Sequence, residues 1–157
     1  MAMQGEVAPS AREVAPSARE VAGRFLAATT GSLDDLADLY APHVTIEMPF
    51  AAPLYPTLRQ VSRDELRAQF RAGAASRKYT RVENVIVHET ADPAVVIVEY
   101  NLHGDNLGTG QSFAMPILMI ITVHDGLITT SRDYSSPVAG AIALGRLPEL
   151  IEALNRN

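Results

Sequence analysis

Cysteine is missing from all 157 positions, lysine occurs once, at Lys78, and no apolar run is long enough to cross a bilayer. Each absence excludes a class of function. Without cysteine there is no disulfide framework, no thiolate nucleophile and no thiolate metal site. A formal charge of −5 with no cluster of Lys and Arg argues against nucleic acid and against an anionic membrane surface, since both require concentrated positive charge. The longest strongly apolar stretch, Ala114 to Val123, is too short to span a membrane. The first residues lack the basic-then-apolar order of a signal peptide, so a cytoplasmic location is the default expectation. The four histidines, His43, His88, His103 and His124, are spread out, with no two at helical metal-ligand spacing, so neither a metal site nor a cofactor is expected. No GxSxG, P-loop or dinucleotide fingerprint is present. GDNLGTG at 104–110 has glycines but no helical pattern after it, and it reads as a flexible hairpin or lid. What remains is a small-molecule or protein partner.

A hydrophobic content of 47% over this length suffices for one sizeable core and a single domain. The segment EVAPSAR occurs at Glu6 to Arg12 and again at Glu13 to Arg19. Pro9 and Pro16 recur within the period and would break a continuous helix, so the repeat reads as a duplicated helix start. Ser17 and Glu20 fit a capping box, which divides the chain into a disordered tail over 1–16 and a folded domain over 17–157. Val21, Phe25 and Ala28 give the first helix its buried side. A second, short helix capped by Ser32 carries Leu33, Leu36, Leu39 and Tyr40 and stops at Pro42. Val44, Ile46, Met48 and Phe50 alternate with polar residues as a strand does. AAPLYPTLRQ, with two prolines, reads as a loop at a cavity mouth, and Ser62 with Glu65 caps a third helix bearing Leu66 and Phe70. Strands are expected over 79–89, 94–103, 112–124 and 127–134, the last two joined at Asp125-Gly126, a strong hairpin signal.

Helices first, then a run of antiparallel strands with one early strand between helices, describe an α+β fold with helices on one face of a curved sheet. The motifs VTIEMPFA at Val44 to Ala51 and SRDY at Ser131 to Tyr134, with the helical segment between them, resemble the nuclear-transport-factor-2-like superfamily in its SnoaL-like polyketide cyclase branch, from about Val21 to Pro137. That resemblance implies a cone-shaped α+β barrel, a curved and mostly antiparallel sheet enclosing an internal pocket, and a homodimer formed through the convex sheet face. Apolar residues on both faces of 115–121 agree with a sheet covered on both sides.

The ketosteroid isomerases of the same scaffold use a tyrosine, a basic aspartate and a protonated aspartate. Matching RFLAAT, VTIEMPFA and FAMPILMI to their motifs puts Phe25, Met48 and Leu118 at those positions, so that mechanism is not expected. Resemblance to the SnoaL-like cyclases instead implies that Asp133 is the catalytic acid or base. Their partner histidine falls at Met119 and has no counterpart.

Alternation sends Ile46, Met48 and Phe50 inward with Val98, Tyr100, Thr129, Ser131 and Asp133. Glu47, Glu99, Arg132 and Tyr134 then face outward, where Glu47 and Glu99 are expected to meet Arg132. Phe25, Tyr40, Tyr55, Phe70, Leu118 and Ile120 complete the expected substrate-binding lining. An aspartate among Phe, Met and Leu loses solvation of its charged form, which raises its pKa toward neutrality. The function this implies is a cofactor-independent cyclase or isomerase acting on a hydrophobic oxygenated metabolite such as a polyketide intermediate. The alternatives are an epoxide hydrolase-like enzyme, for which an inward arginine and second aspartate are not seen, and a hydrophobic-ligand-binding accessory protein that does not turn its ligand over.

Overall fold

The computed structural model describes residues 14–156. Helix α1 (Ala18–Thr29) starts at Ser17, whose side chain accepts from the Glu20 amide while the Glu20 carboxylate accepts from the Ser17 amide. The same reciprocal cap at Ser62 and Glu65 opens α3 (Arg63–Gly73), and Ser32 caps the short α2 (Leu33–Asp38). Most of the duplicated tail lies outside the described residues. Its last residue, Pro16, packs against the turn at Gly126.

Six strands form one sheet in the order β2-β1-β6-β5-β4-β3: β1 (Tyr40–Glu47), β2 (Leu58–Ser62), β3 (Arg77–Glu89), β4 (Val95–Asn106), β5 (Ser112–His124) and β6 (Leu127–Ser135). β1 and β6 run parallel, and the other neighbours are antiparallel. Burial alternates strictly along β4, where Val96, Val98, Tyr100 and Leu102 are buried and their neighbours are not. These side chains meet Val21, Ala22, Phe25 and Leu26 of α1 in the main core, with Ile121, Val123 and Ile128 from β5 and β6. α+β architecture with helices on the inner face of a curved sheet is the arrangement the element order implies.

Several boundaries differ from the sequence pattern, each for a local reason. Tyr40 opens β1 rather than closing α2, and Pro42 lies inside that strand. The pairing with β6 is irregular between Tyr40 and Thr45, which is where a residue without an amide hydrogen fits a ladder. AAPLYPTLRQ is irregular only in its first part. After Pro56 the chain forms edge strand β2, paired with β1 from Glu47↔Leu58 to His43↔Ser62. β4 continues through Gly104 to Asn106, so the glycine-rich turn is confined to 107–110. Asn106 anchors it, accepting from the Gly108 and Thr109 amides and donating to the Ala143 carbonyl.

That last bond reaches the end of α4 (Pro137–Ala143), which with α5 (Leu147–Asn155) is absent from the sequence reading. Ser136 caps α4 and Pro137 occupies its first turn, a start signal the sequence carries plainly. α4 closes one end of the cavity described below.

Candidate functional site

The concave side of the sheet and the helices enclose a mostly apolar cavity of about 820 Å³, a size suited to a compact organic ligand. Phe25, Tyr40, Met48, Phe50, Tyr55, Phe70, Tyr100 and Asp133, all named from the sequence, line it. Arg59, Arg77, Lys78, Tyr79, Met115, Ile117, Met119 and the α4 residues Pro137, Gly140 and Ala141 join them, and none of these was picked out as lining from the sequence.

Five other expected lining residues lie elsewhere. Ile46 and Val98 point inward but are buried in the core beneath the cavity, and Ser131 is fully buried behind Asp133. Leu118 and Ile120 are on the opposite face. Met115, Ile117 and Met119 line the cavity, so the intervening positions of β5 point away from it, with Leu118 beside Glu99 and Tyr134 and Ile120 beside Ile97 and Arg132. Because β5 is apolar on both faces, its hydropathy carries no information about which set faces inward. Thr129 departs from the expected alternation as well. The β5–β6 register slips between Thr122 and Val123, and Ile128 rather than Thr129 takes the buried position.

The outward row agrees with the sequence reading at one pair and differs at the other. Arg132 Nε donates to Glu47 at 2.8 Å, whereas Glu99 meets His88 at 2.7 Å. His103 sits within β4, its Nε2 2.9 Å from Glu83 Oε2. The cavity does contain inward-facing arginines, contrary to the sequence expectation.

Among the described residues Asp133 is the one carboxylate lining the cavity. Its inward aim follows from pairing with Met119 on β5, and Ser131, two residues earlier on the same face, donates a hydrogen bond to Oδ1 at 2.5 Å. Loss of solvation pushes the Asp133 carboxyl up to about 6, with the Ser131 hydrogen bond opposing the rise. Burial also raises both Tyr40 and Tyr100 above the ordinary phenol range, and the Asp133 charge adds to this in each case, so both hydroxyls stay protonated donors close to the carboxylate. The Tyr100 hydroxyl donates to Met119 Sδ at 3.4 Å. A carboxylate poised near neutrality beside two protonated phenols can take a proton from carbon and hydrogen-bond the oxyanion that results.

At the mouth, Arg146, which caps α5, hydrogen-bonds the Tyr55 hydroxyl and lies 5.0 Å from the centroid of its ring. Phe50 stacks edge-on with Tyr134, ring centroids 5.5 Å apart, and forms the outer rim. No helix among the described residues is long and apolar enough to cross a membrane.

A family model for the SnoaL-like domain matches residues 21–131. A PhzA/B-like protein of uncharacterised function from Pseudomonas aeruginosa is 33% identical over 110 residues, 69% of this chain and 75% of that protein. Among solved structures, a candidate isomerase from Bacillus subtilis superposes with a TM-score of 0.75 at 22% identity, covering 82% of this chain and 93% of its own. A candidate polyketide cyclase from Pseudomonas putida gives 0.70 at 17% identity, over 82% and 98% respectively. These structural likenesses extend the cone-shaped fold to this chain.

Proposed function

The chain belongs to the SnoaL-like domain family, and on that premise we propose that it is a cofactor-independent cyclase or isomerase working by proton transfer at Asp133. The substrate is a hydrophobic oxygenated metabolite of the kind a polyketide pathway supplies. The observation that carries this reading is a carboxyl pushed up to about 6 by burial, the one acid lining a large apolar cavity among the described residues. At neutral pH most of it is ionised, and its basicity is higher than that of a solvated aspartate.

In this mechanism Asp133 removes a proton from a carbon next to a carbonyl. Tyr40 and Tyr100 donate to the oxygen on which negative charge develops, and Ser131 holds the carboxylate in one orientation. The apolar walls fold a flexible substrate so that the nucleophilic carbon meets its electrophile, which converts an entropic cost of cyclisation into binding. Since Asp133 is the one acid lining the cavity among the described residues, a two-aspartate epoxide opening is not supported.

The test needs no natural substrate. 1-Tetralone, a compact apolar ketone, exchanges its C2 hydrogens slowly in neutral D₂O, and NMR follows the exchange. The wild-type protein should accelerate it above buffer, with Asp133→Asn losing the acceleration by on the order of a hundredfold. Exchange that is not accelerated, or that the Asn variant sustains, would point instead to a cavity that binds without turning over.

A further inference from the structure

The charged lining of the cavity is unbalanced. Among the described residues three cations, Arg59, Arg77 and Lys78, and one acid, Asp133, line it, in a chain of net charge −5. Arg59 lies close enough to Glu65 to lower the pKa of that carboxyl, and Lys78 is exposed. Arg77 is half-buried and, like Arg24, Arg59 and Arg63, has no carboxylate within 4.0 Å among the described residues, whereas Arg19, Arg67, Arg71, Arg81, Arg132, Arg146 and Arg156 each have one.

Its guanidinium is nevertheless held in place. Arg77 opens β3 on the inner face, two residues before Tyr79, and its Nε donates to the Tyr79 hydroxyl at 2.9 Å. Its guanidinium carbon lies 5.7 Å from the centroid of the same ring. On the other side is Gly73, the last residue of α3, where a Cβ would fall 2.9 Å from Nη2, so glycine leaves the space the guanidinium fills. The carbonyl end of α3 favours a cation there. Nη1 makes a long 3.4 Å contact to Ser76 Oγ, and Nη2 makes no protein hydrogen bond among the described residues. The outer edge of the guanidinium is therefore free for a planar anion.

A polar line leads from this edge into the cavity. The Tyr79 hydroxyl accepts from Arg77, and Tyr79 and Asp133 both lie near enough to Tyr100 to influence it. The walls around it are Phe25, Tyr40, Phe70 and Met115. We propose that Arg77 anchors a carboxylate, and that the substrate is an apolar acid whose anionic end sits at Arg77 while its reacting carbon reaches Asp133. A guanidinium fork matches a carboxylate through two parallel hydrogen bonds, which an ammonium does not reproduce. This rests on the cavity being the substrate site.

Calorimetric titration with 2-naphthoate and 2-naphthamide, which share a shape and differ in charge, reads the inference directly. Wild-type protein should bind the carboxylate about tenfold or more tightly than the amide. Arg77→Gln should bring the two affinities within about twofold of each other while leaving amide binding and melting temperature unchanged, and Arg77→Lys should keep part of the preference. Asp133→Asn should keep or strengthen the preference, because it removes a like charge from the cavity. Equal wild-type affinities, or a preference that survives Arg77→Gln, overturn the anchor and leave the Asp133 reading standing. Failure of both probes to bind overturns the cavity as the substrate site. Loss of ketone exchange with the carboxylate preference intact overturns the proton-transfer reading alone.

Discussion

Met119 stands directly opposite Asp133 on the neighbouring antiparallel strand, so a thioether rather than an imidazole shares the inner face with the carboxylate. The Tyr100 hydroxyl donates to that sulfur, and among the described residues the one side-chain hydrogen bond to Asp133 comes from Ser131. No cation among the described residues offsets the desolvation of Asp133, and its pKa rises instead of falling. Position 119 is where the resemblance to the cyclases places their histidine. Methionine there leaves hydroxyl groups, those of Ser131, Tyr40 and Tyr100, as the polar neighbours of Asp133 among the described residues.

The raised pKa has a stability consequence with a definite sign. Between pH 3.8 and about 6 the folded protein holds a proton on Asp133 that the unfolded chain has released, so this group's contribution falls as pH rises through that window. At pH 8 the native state bears the full penalty, roughly 3 kcal/mol. Asp133→Asn should melt several degrees higher than wild type at pH 8 and nearly together with it at pH 4. Melting curves at the two pH values provide the check, and a variant no more stable at pH 8 than at pH 4, relative to wild type, would show that the carboxylate is not desolvated.

Ser131 is fully buried and donates to the ionised form of Asp133, which opposes the effect of burial. With Asp133 as base, the rate of ketone exchange should rise through a midpoint near pH 6 and level off above it. Ser131→Ala removes the bond and should move that midpoint upward while lowering the plateau modestly. A midpoint that stays in place would mean the titration belongs to another group.

How much of this was legible in the sequence depended on whether a position carried more than one signal. The capping boxes at Ser17 and Ser62 joined helix starts to apolar periodicity, and the structure keeps both. Asp133 was readable because the alternating direction of side chains along a strand and the resemblance of SRDY to the cyclase pattern pointed to the same face. β5 alternates nothing, so its phase was open, and Leu118 and Ile120 were placed inside when Ile117 and Met119 belong there. The bulge near Thr129 is a property of two strands paired together, which no single strand reveals. Arg77 was missed for a different reason. Its significance is the lack of an acidic partner in space, and sequence spacing does not report that.

Gly126 occupies the turn between β5 and β6 at φ +75°, and a Cβ there would lie 2.7 Å from Pro16 Cδ. Gly126→Ala meets two separate obstacles, left-handed backbone and a rigid ring. It should cost roughly 1 to 3 kcal/mol. Adding Pro16→Gly should return the steric part only, leaving a residual loss. Denaturant titration of both variants separates the two, and a double variant no better than the single one would show that backbone strain alone is responsible.

Leu118 and Ile120, displaced from the cavity, lie on the convex face. Ile120 stands beside Ile97, and Ile86 of β3 on the same face is 51% exposed, so apolar residues occur on three neighbouring strands. We propose that a second copy of the chain covers this face, forming a homodimer. Leu118→Arg places a cation next to Glu99 and Tyr134, so the folded subunit should tolerate the change while a symmetric interface would bring two such cations together. Sedimentation should give a dimer for wild type and a monomer of unchanged helix and strand content for the variant. Phe50→Ala, which alters the cavity rim instead, should remain dimeric. A monomeric wild type at tens of micromolar would remove the dimer, and a dimeric Leu118→Arg would move its interface off this face of the sheet.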